Sequence, residues 1–178
     1  NYAENITINK ALTLNGPNAG VDCDSRVAEA IIAPASGLPV SITADDVTLS
    51  GFEINAPDHR NAIVLNDRSN TTISYNNIND IGTNLTGGGN IHAVLNQLGS
   101  GNSWNVAISN NCIENIGNSG FSNFSLSAIG ILQSVSTGVL TVLNVENNVI
   151  NNLNVNTAAW PAGKIAYGII INVGGCSG

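Results

Sequence analysis

The chain has little that would let it bind a polyanion. Lys and Arg number 5 against 12 Asp and Glu, for a net charge of -7. Gripping a phosphate backbone needs clustered Lys and Arg, so nucleic acid is excluded as a partner. Long apolar runs are missing too. A stretch such as Gly168-Ile169-Ile170-Ile171 is far shorter than the roughly 20 residues a membrane-crossing helix needs. Methionine is absent, aromatic residues number only eight, and no leader-like segment opens the sequence. It starts abruptly inside a strand-like stretch, so residues 1–178 are expected to be a single domain belonging to a longer protein.

Cysteine is scarce as well. Cys23, Cys112 and Cys176 are an odd number at wide spacing, which fits neither a disulfide framework nor a zinc pattern. Cys112 falls at a core position and is expected to be a small buried hydrophobe. A Cys23–Cys176 bridge is the alternative, opposed by their places near opposite ends of the chain.

Asn and Gly are what the chain has in excess, at 30 and 19 residues. Both are poor in helix interiors and depleted in strands, so they imply many turns. Between them lie short runs of Ile, Val and Leu, the mark of short strands.

Those runs repeat. LSGFEINAPD (49–58), ISYNNINDIG (73–82), ISNNCIENIG (108–117) and VENNVINNLN (145–154) align without gaps. Leu49, Ile73, Ile108 and Val145 open them, and Ile54, Ile78, Ile113 and Ile150 follow five residues later. A second family alternates with the first: AIVLN (62–66), HAVLN (92–96), IGILQ (129–133) and YGIII (167–171). In this alignment His92 falls opposite Ala62. Val47 and Leu49 alternate with Thr48 and Ser50, and the pattern recurs at Val106/Ile108 and Leu143/Val145, as in strands with one buried face. No such strand buries its apolar face alone, so successive copies must stack. Asn76, Asn111 and Asn148 then lie above one another as a hydrogen-bonded ladder, which should end at Phe52.

Openers are spaced by 24, 35 and 37 residues, so a bare rung is lengthened by insertions at two recurrent points. One set is residues 83–91, 118–127 and 155–165; the other is 97–104 and 134–140. Residues 5–16 read as an earlier rung, followed by an excursion through VDCDSR (21–26).

The IS-x-N-x-I and GI-x-L motifs resemble the right-handed parallel β-helix superfamily, the pectin-lyase-like fold, in its periplasmic copper-maturation (NosD-like) and secreted-repeat branches. The resemblance runs from residue 5 onward. It implies an all-β, right-handed solenoid of about five rungs with insertions on one side, in an extracellular or cell-surface protein. It does not choose a chemistry, because the superfamily includes polysaccharide lyases, hydrolases, epimerases and passive surface proteins.

The outward strand positions are Thr48, Ser50, Thr72, Ser74, Ala107, Ser109, Asn144 and Glu146. One carboxylate among them cannot form a paired acid/base site. The charged cluster is Asp58, His59 and Arg60, near Asp67 and Arg68 in sequence. With His92 it forms the catalytic alternative, a lyase or hydrolase acting on polysaccharide. Asp22 with Asp24, and Asp45 with Asp46, are calcium candidates, each pair well short of the six to eight oxygens calcium takes; no other cofactor or metal is expected. The Thr ladder that ice binding needs breaks after Thr48 and Thr72. Sequons at Asn5, Asn70, Asn84 and Asn123 are no more than chance supplies in so Asn-rich a chain.

Aromatic rings point elsewhere. Phe121, Phe124 and Trp160 fall in the same recurrent insertion, and Trp104 at the end of the other. Rings on stacked loops form a platform for a sugar face, with Asn and Ser supplying hydrogen bonds. The expected function is therefore a non-catalytic surface module, structural or adhesive, engaging glycan through 118–127 and 155–165. A purely structural filament or spacer is the other alternative. With no polar end rung in sight, the ends call for the rest of a parent chain, a partner or end-to-end self-association.

Overall fold

The computed structural model describes residues 1–85, 89–98, 103–117, 126–133, 139–154 and 166–172. Sixteen short strands run through them, three to a turn of chain. The first rung holds β1 (Ile6–Ile8), β2 (Leu12–Asn15) and β3 (Ile31–Ile32); the second β4 (Val40–Ile42), β5 (Val47–Ser50) and β6 (Glu53–Asn55). The third holds β7 (Asn61–Asn66), β8 (Thr71–Ser74) and β9 (Asn77–Ile81); the fourth β10 (Ile91–Leu98), β11 (Ser103–Ser109) and β12 (Cys112–Ile116). The fifth holds β13 (Leu126–Gln133), β14 (Val139–Glu146) and β15 (Val149–Leu153), and β16 (Ala166–Asn172) begins a sixth.

Each strand pairs in parallel with its counterpart one rung away, giving three sheets. The first sheet is β1-β4-β7-β10-β13-β16, the second β2-β5-β8-β11-β14 and the third β3-β6-β9-β12-β15. This is a parallel β-helix solenoid. Leu14, Leu49, Ile73, Ile108 and Val145 form one column in the second sheet. Ile32, Ile54, Ile78, Ile113 and Ile150 form another in the third. Both are interior columns: Leu49, Ile54, Ile73, Ile78, Ile108 and Ile113 are fully buried. A strand of three to eight residues pairs only through its neighbours, and the single continuous core is what holds the rungs.

The first sheet departs from simple alternation, and there the expected alignment is wrong. His92 pairs with Asn61 and Ser127, and Ser127 with Tyr167, so His92 lies opposite neither Ala62 nor Ile129. The cause is two consecutive buried residues in each copy: Ala62-Ile63, Ala93-Val94 and Ala128-Ile129 are all in the core. The pair interrupts the period of two, and matching apolar letters across it slips the register by one or two. One core residue is anomalous. Asn96 stacks between Leu65 and Ile131, is fully buried, and neither of its carboxamide atoms has a partner. A buried unpaired amide costs about 1–3 kcal/mol, and nothing in the structure offsets it.

The turns explain the Asn content. Gly51, Tyr75, Asn110 and Asn147 occupy one corner position with φ of 78°, 54°, 56° and 53°. Asn and Asp reach this left-handed conformation at less cost than other side chains. Gly51 is the member that must lack a side chain, because a Cβ there would collide with the backbone nitrogen of Ala19. The next residue in each copy is the ladder. Asn76 Nδ2 donates to Asn111 Oδ1 at 3.2 Å, and Asn111 Nδ2 to Asn148 Oδ1 at 2.9 Å. The same nitrogens donate to the carbonyls of Leu49, Ile73 and Ile108, and the same oxygens accept from the backbone N–H of Phe52, Asn76 and Asn111. Phe52 has no amide to pass on, and the ladder stops there.

The cysteines correct the sequence expectation. Cys23 and Cys112 form a disulfide, with a Cα–Cα distance of 5.6 Å, so Cys112 is not a free core thiol. Cys176 lies outside the described residues. Residues 18–27 form a loop that does not stay at the first rung; it stands along the corner between the second and third sheets. Asn18 closes its base, accepting from Val27 N at 2.8 Å and donating to Glu29 Oε2 at 2.8 Å. Arg26 pairs with Glu29 and donates to the carbonyls of Tyr75 on the third rung and Phe52 on the second. The tip carries Cys23 to the fourth rung. A bridge spanning 89 residues is worth about 4–5 kcal/mol if its effect is to restrict the unfolded chain.

The insertions leave at two corners flanking the first sheet, between the third and first sheets and between the first and second. At the latter they are shorter than expected: β10 runs to Leu98 and β11 starts at Ser103, so Trp104 belongs to a strand. Val142 and Val149 are exposed at outward positions of the fifth rung, whereas Ile169 and Ile171 on β16 continue the core columns of Ile129 and Ile131 and are left exposed. No helix of the described residues is long and apolar enough to cross a membrane.

Candidate functional site

The third sheet ends at the corner where the longer insertions depart. Each copy there has a residue with positive φ: Asp80 at 56°, Asn115 at 56° and Asn152 at 53°. The turn that this conformation makes pushes the side chain outward, so the three form a second polar column on the surface. Asn152 Nδ2 donates to Asn115 Oδ1 at 3.2 Å, and Asn55 Nδ2 donates to Asp80 Oδ2 at 2.9 Å. These bonds hold the carboxamides in a fixed orientation.

Beside this column is an open groove of about 620 Å³, lined by Asp80, Thr83, Asn115, Gly117, Asn152, Leu153 and Asn154. Gly117 is needed in its wall: it has φ of 78°, and a Cβ would approach Asn154 O to 2.7 Å and Leu126 Cδ2 to 2.9 Å. Among the described residues the lining offers amide donors and acceptors, the Thr83 hydroxyl, one carboxylate and one Leu, with no Lys or Arg. A lining of amides and one carboxylate suits neutral hydroxylated ligands, and the Asp80 charge disfavours an anionic one.

The residues singled out from sequence are scattered. Asp58 and Arg60 are exposed, and His59 Nε2 is hydrogen-bonded to Pro34 O at 3.1 Å. His92 is 5% exposed on the outer side of the first sheet, its Nδ1 2.7 Å from Ser127 Oγ. Gly130 makes room for the ring, because a Cβ there would come within 2.9 Å of Nδ1. Burial pushes the imidazole down from 6.5 to about 4. Among the described residues no side-chain hydrogen bond or ion pair joins Asp58, His59, Arg60 and His92.

Trp104 offers no face to a ligand. It is fully buried in the core, and its Nε1 donates to Asp67 Oδ1 at 2.7 Å. Phe121, Phe124 and Trp160 lie outside the described residues. Asp45 and Asp46 are engaged in a turn, accepting from Ser69 N at 2.8 Å and Asn70 Nδ2 at 2.9 Å. Asp22 and Asp24 are exposed on the tip of the 18–27 loop. The described residues hold no group of three or more His, Cys, Asp or Glu placed to share a metal ion.

The Asp80–Asn115–Asn152 column was not among the sequence candidates. Its signal is present in the sequence, since the three residues share the third position of INDIG, IENIG and INNLN, the eighth of the ten-residue copies. The fourth-position Asn column drew attention first because its residues are identical. No protein-family model matches the chain, and no curated protein or solved structure resembles it at a significant level.

Proposed function

We propose that the protein is a non-catalytic, extracellular β-helix module that binds neutral glycan in the groove along Asp80, Asn115 and Asn152. The observation that carries this reading is the outward Asp80–Asn115–Asn152 column, with Asn152 donating to Asn115, beside an open groove lined mainly by amides. The segments bearing Phe121, Phe124 and Trp160 continue from Gly117 and Asn154, two residues of the groove wall. Rings there would stack on sugar faces while the amides bond hydroxyls, and each alone would bind weakly. The Cys23–Cys112 bridge supports an oxidising compartment such as the cell exterior. Among the superfamilies with this architecture, the pectin-lyase-like one and its secreted-repeat branch remain the reading that the IS-x-N-x-I motifs favour.

Titration of neutral and uronic-acid oligosaccharides tests this. Binding of neutral chains without cleavage is expected, weakened at least ten-fold by Asn115→Ala and by Trp160→Ala. Cleavage lost in His92→Ala would instead establish the lyase or hydrolase alternative. No binding, together with particle size that grows with concentration, would favour an end-stacking spacer, the reading supported by Ile169 and Ile171, which continue core columns yet are exposed.

A further inference from the structure

The 18–27 loop is attached to the upper rungs by less than its course implies. Among the described residues no hydrogen bond joins residues 19–25 to any sheet: the amides of Ala19, Val21 and Ser25 bond only to Gly16, Asn18 and Asp22. The anchors are the Asn18 clasp at the base, Arg26 at the return, and Cys23 on Cys112 at the tip. Among the described residues the disulfide is therefore the one covalent or hydrogen-bonded link between the loop and the fourth rung. It is also reachable. Cys23 lines two surface depressions of about 200 and 410 Å³, and Cys112 lines the first of them. Beneath the loop lie Asn77, Glu114 and Asn151 on the outer side of the third sheet, and Asn110 and Asn147 at the corner.

We propose that Cys23–Cys112 is a redox latch that holds this loop over the outer face of the third sheet, and that a dithiol reductant opens it without unfolding the solenoid. In the reaction the reductant's thiolate attacks one sulfur and the S–S bond breaks. Two electrons and two protons pass to the protein, leaving two cysteine thiols, and the reductant closes into its own disulfide. The rungs keep their ladders and core, because neither passes through the loop. The freed loop uncovers a strip of Asn and Glu side chains spanning the third to the fifth rung.

Proteolysis of the intact chain in a Cys176→Ser background tests the latch. The protein is reduced with dithiothreitol, alkylated, and exposed to a protease that cuts before Asp. Cleavage before Asp22 and Asp24 should speed up at least ten-fold, with the strand signal in circular dichroism kept and cleavage before Asp45, Asp67 and Asp80 unchanged. Equal loop cleavage in the oxidised and fully alkylated proteins would overturn the proposal. Cleavage that accelerates at every Asp would overturn it too, since the bridge would then be holding the whole fold. The Cys23→Ser/Cys112→Ser variant should match the alkylated protein; should it fail to fold, the reduced natural chain still decides.

Discussion

Replacing Asn111 with Ala should lower the unfolding free energy by roughly 3–5 kcal/mol, among the largest losses a single substitution can produce here. Asn111 is fully buried in the middle of the ladder. Its Oδ1 accepts from Asn76 N and Nδ2, and its Nδ2 donates to Asn148 Oδ1, Ile73 O and Ser109 O. Truncation removes a partner from one backbone N–H and from two backbone carbonyls, the buried ones at about 1–3 kcal/mol each, and opens a gap between rungs three and four. Asp is a sharper probe than Ala: it keeps the acceptor, loses both donors and buries a charge. Chemical denaturation should place Asn111→Asp no higher in stability than Asn111→Ala. Asn148→Ala, on a more exposed rung, should cost less than either.

The second large effect is on pH. The His92 imidazole is pushed down from 6.5 to about 4 by burial, so the folded protein holds it neutral. The unfolded chain takes up a proton on this residue below about pH 6.5, whereas the folded chain does so only near pH 4. Stability from this group is thus complete above pH 6.5 and lost progressively as pH falls to about 4. At about 1.4 kcal/mol for each pH unit the window is worth roughly 3 kcal/mol. Carboxylates titrate in the lower part of the same range, so the difference from His92→Gln isolates the histidine. The stability curves of the two proteins should run parallel above pH 7 and converge toward pH 4. A constant offset across the range would show that His92 is not held neutral by burial.

Much of the fold could be read from the sequence because two of its three sheets obey a simple rule. In the second sheet, and in the third as far as its left-handed residue, inward and outward positions alternate around single core letters, so Leu49, Ile73, Ile108 and Val145 mark the register. The first sheet broke the rule with adjacent buried pairs, and the alignment slipped at His92 and Ile129. Trp104 was misplaced for a related reason. Spacing reveals that residues are added between rungs, but not whether they form a loop or lengthen the strands on either side. Cys112 failed differently. Its position in the repeat is an outward one on the third sheet, and its partner is 89 residues away on a loop whose path no periodicity encodes. The candidate groove was half legible: its side chains sit at a repeated position, yet their outward display depends on a left-handed turn that becomes evident only in the backbone.

Distances along one outward column test the stacking itself. Thr48, Thr72, Ala107 and Asn144 are consecutive partners in the second sheet. With strands about 4.8 Å apart, Thr48 should lie only about 5, 10 and 14 Å of backbone from the other three, although long stretches of chain separate them. Nitroxide pairs placed at Thr48 and each of the others, read by electron spin resonance, should show separations that rise in equal steps. Separations far beyond these few ångströms per rung, or that scatter without order, would contradict the solenoid.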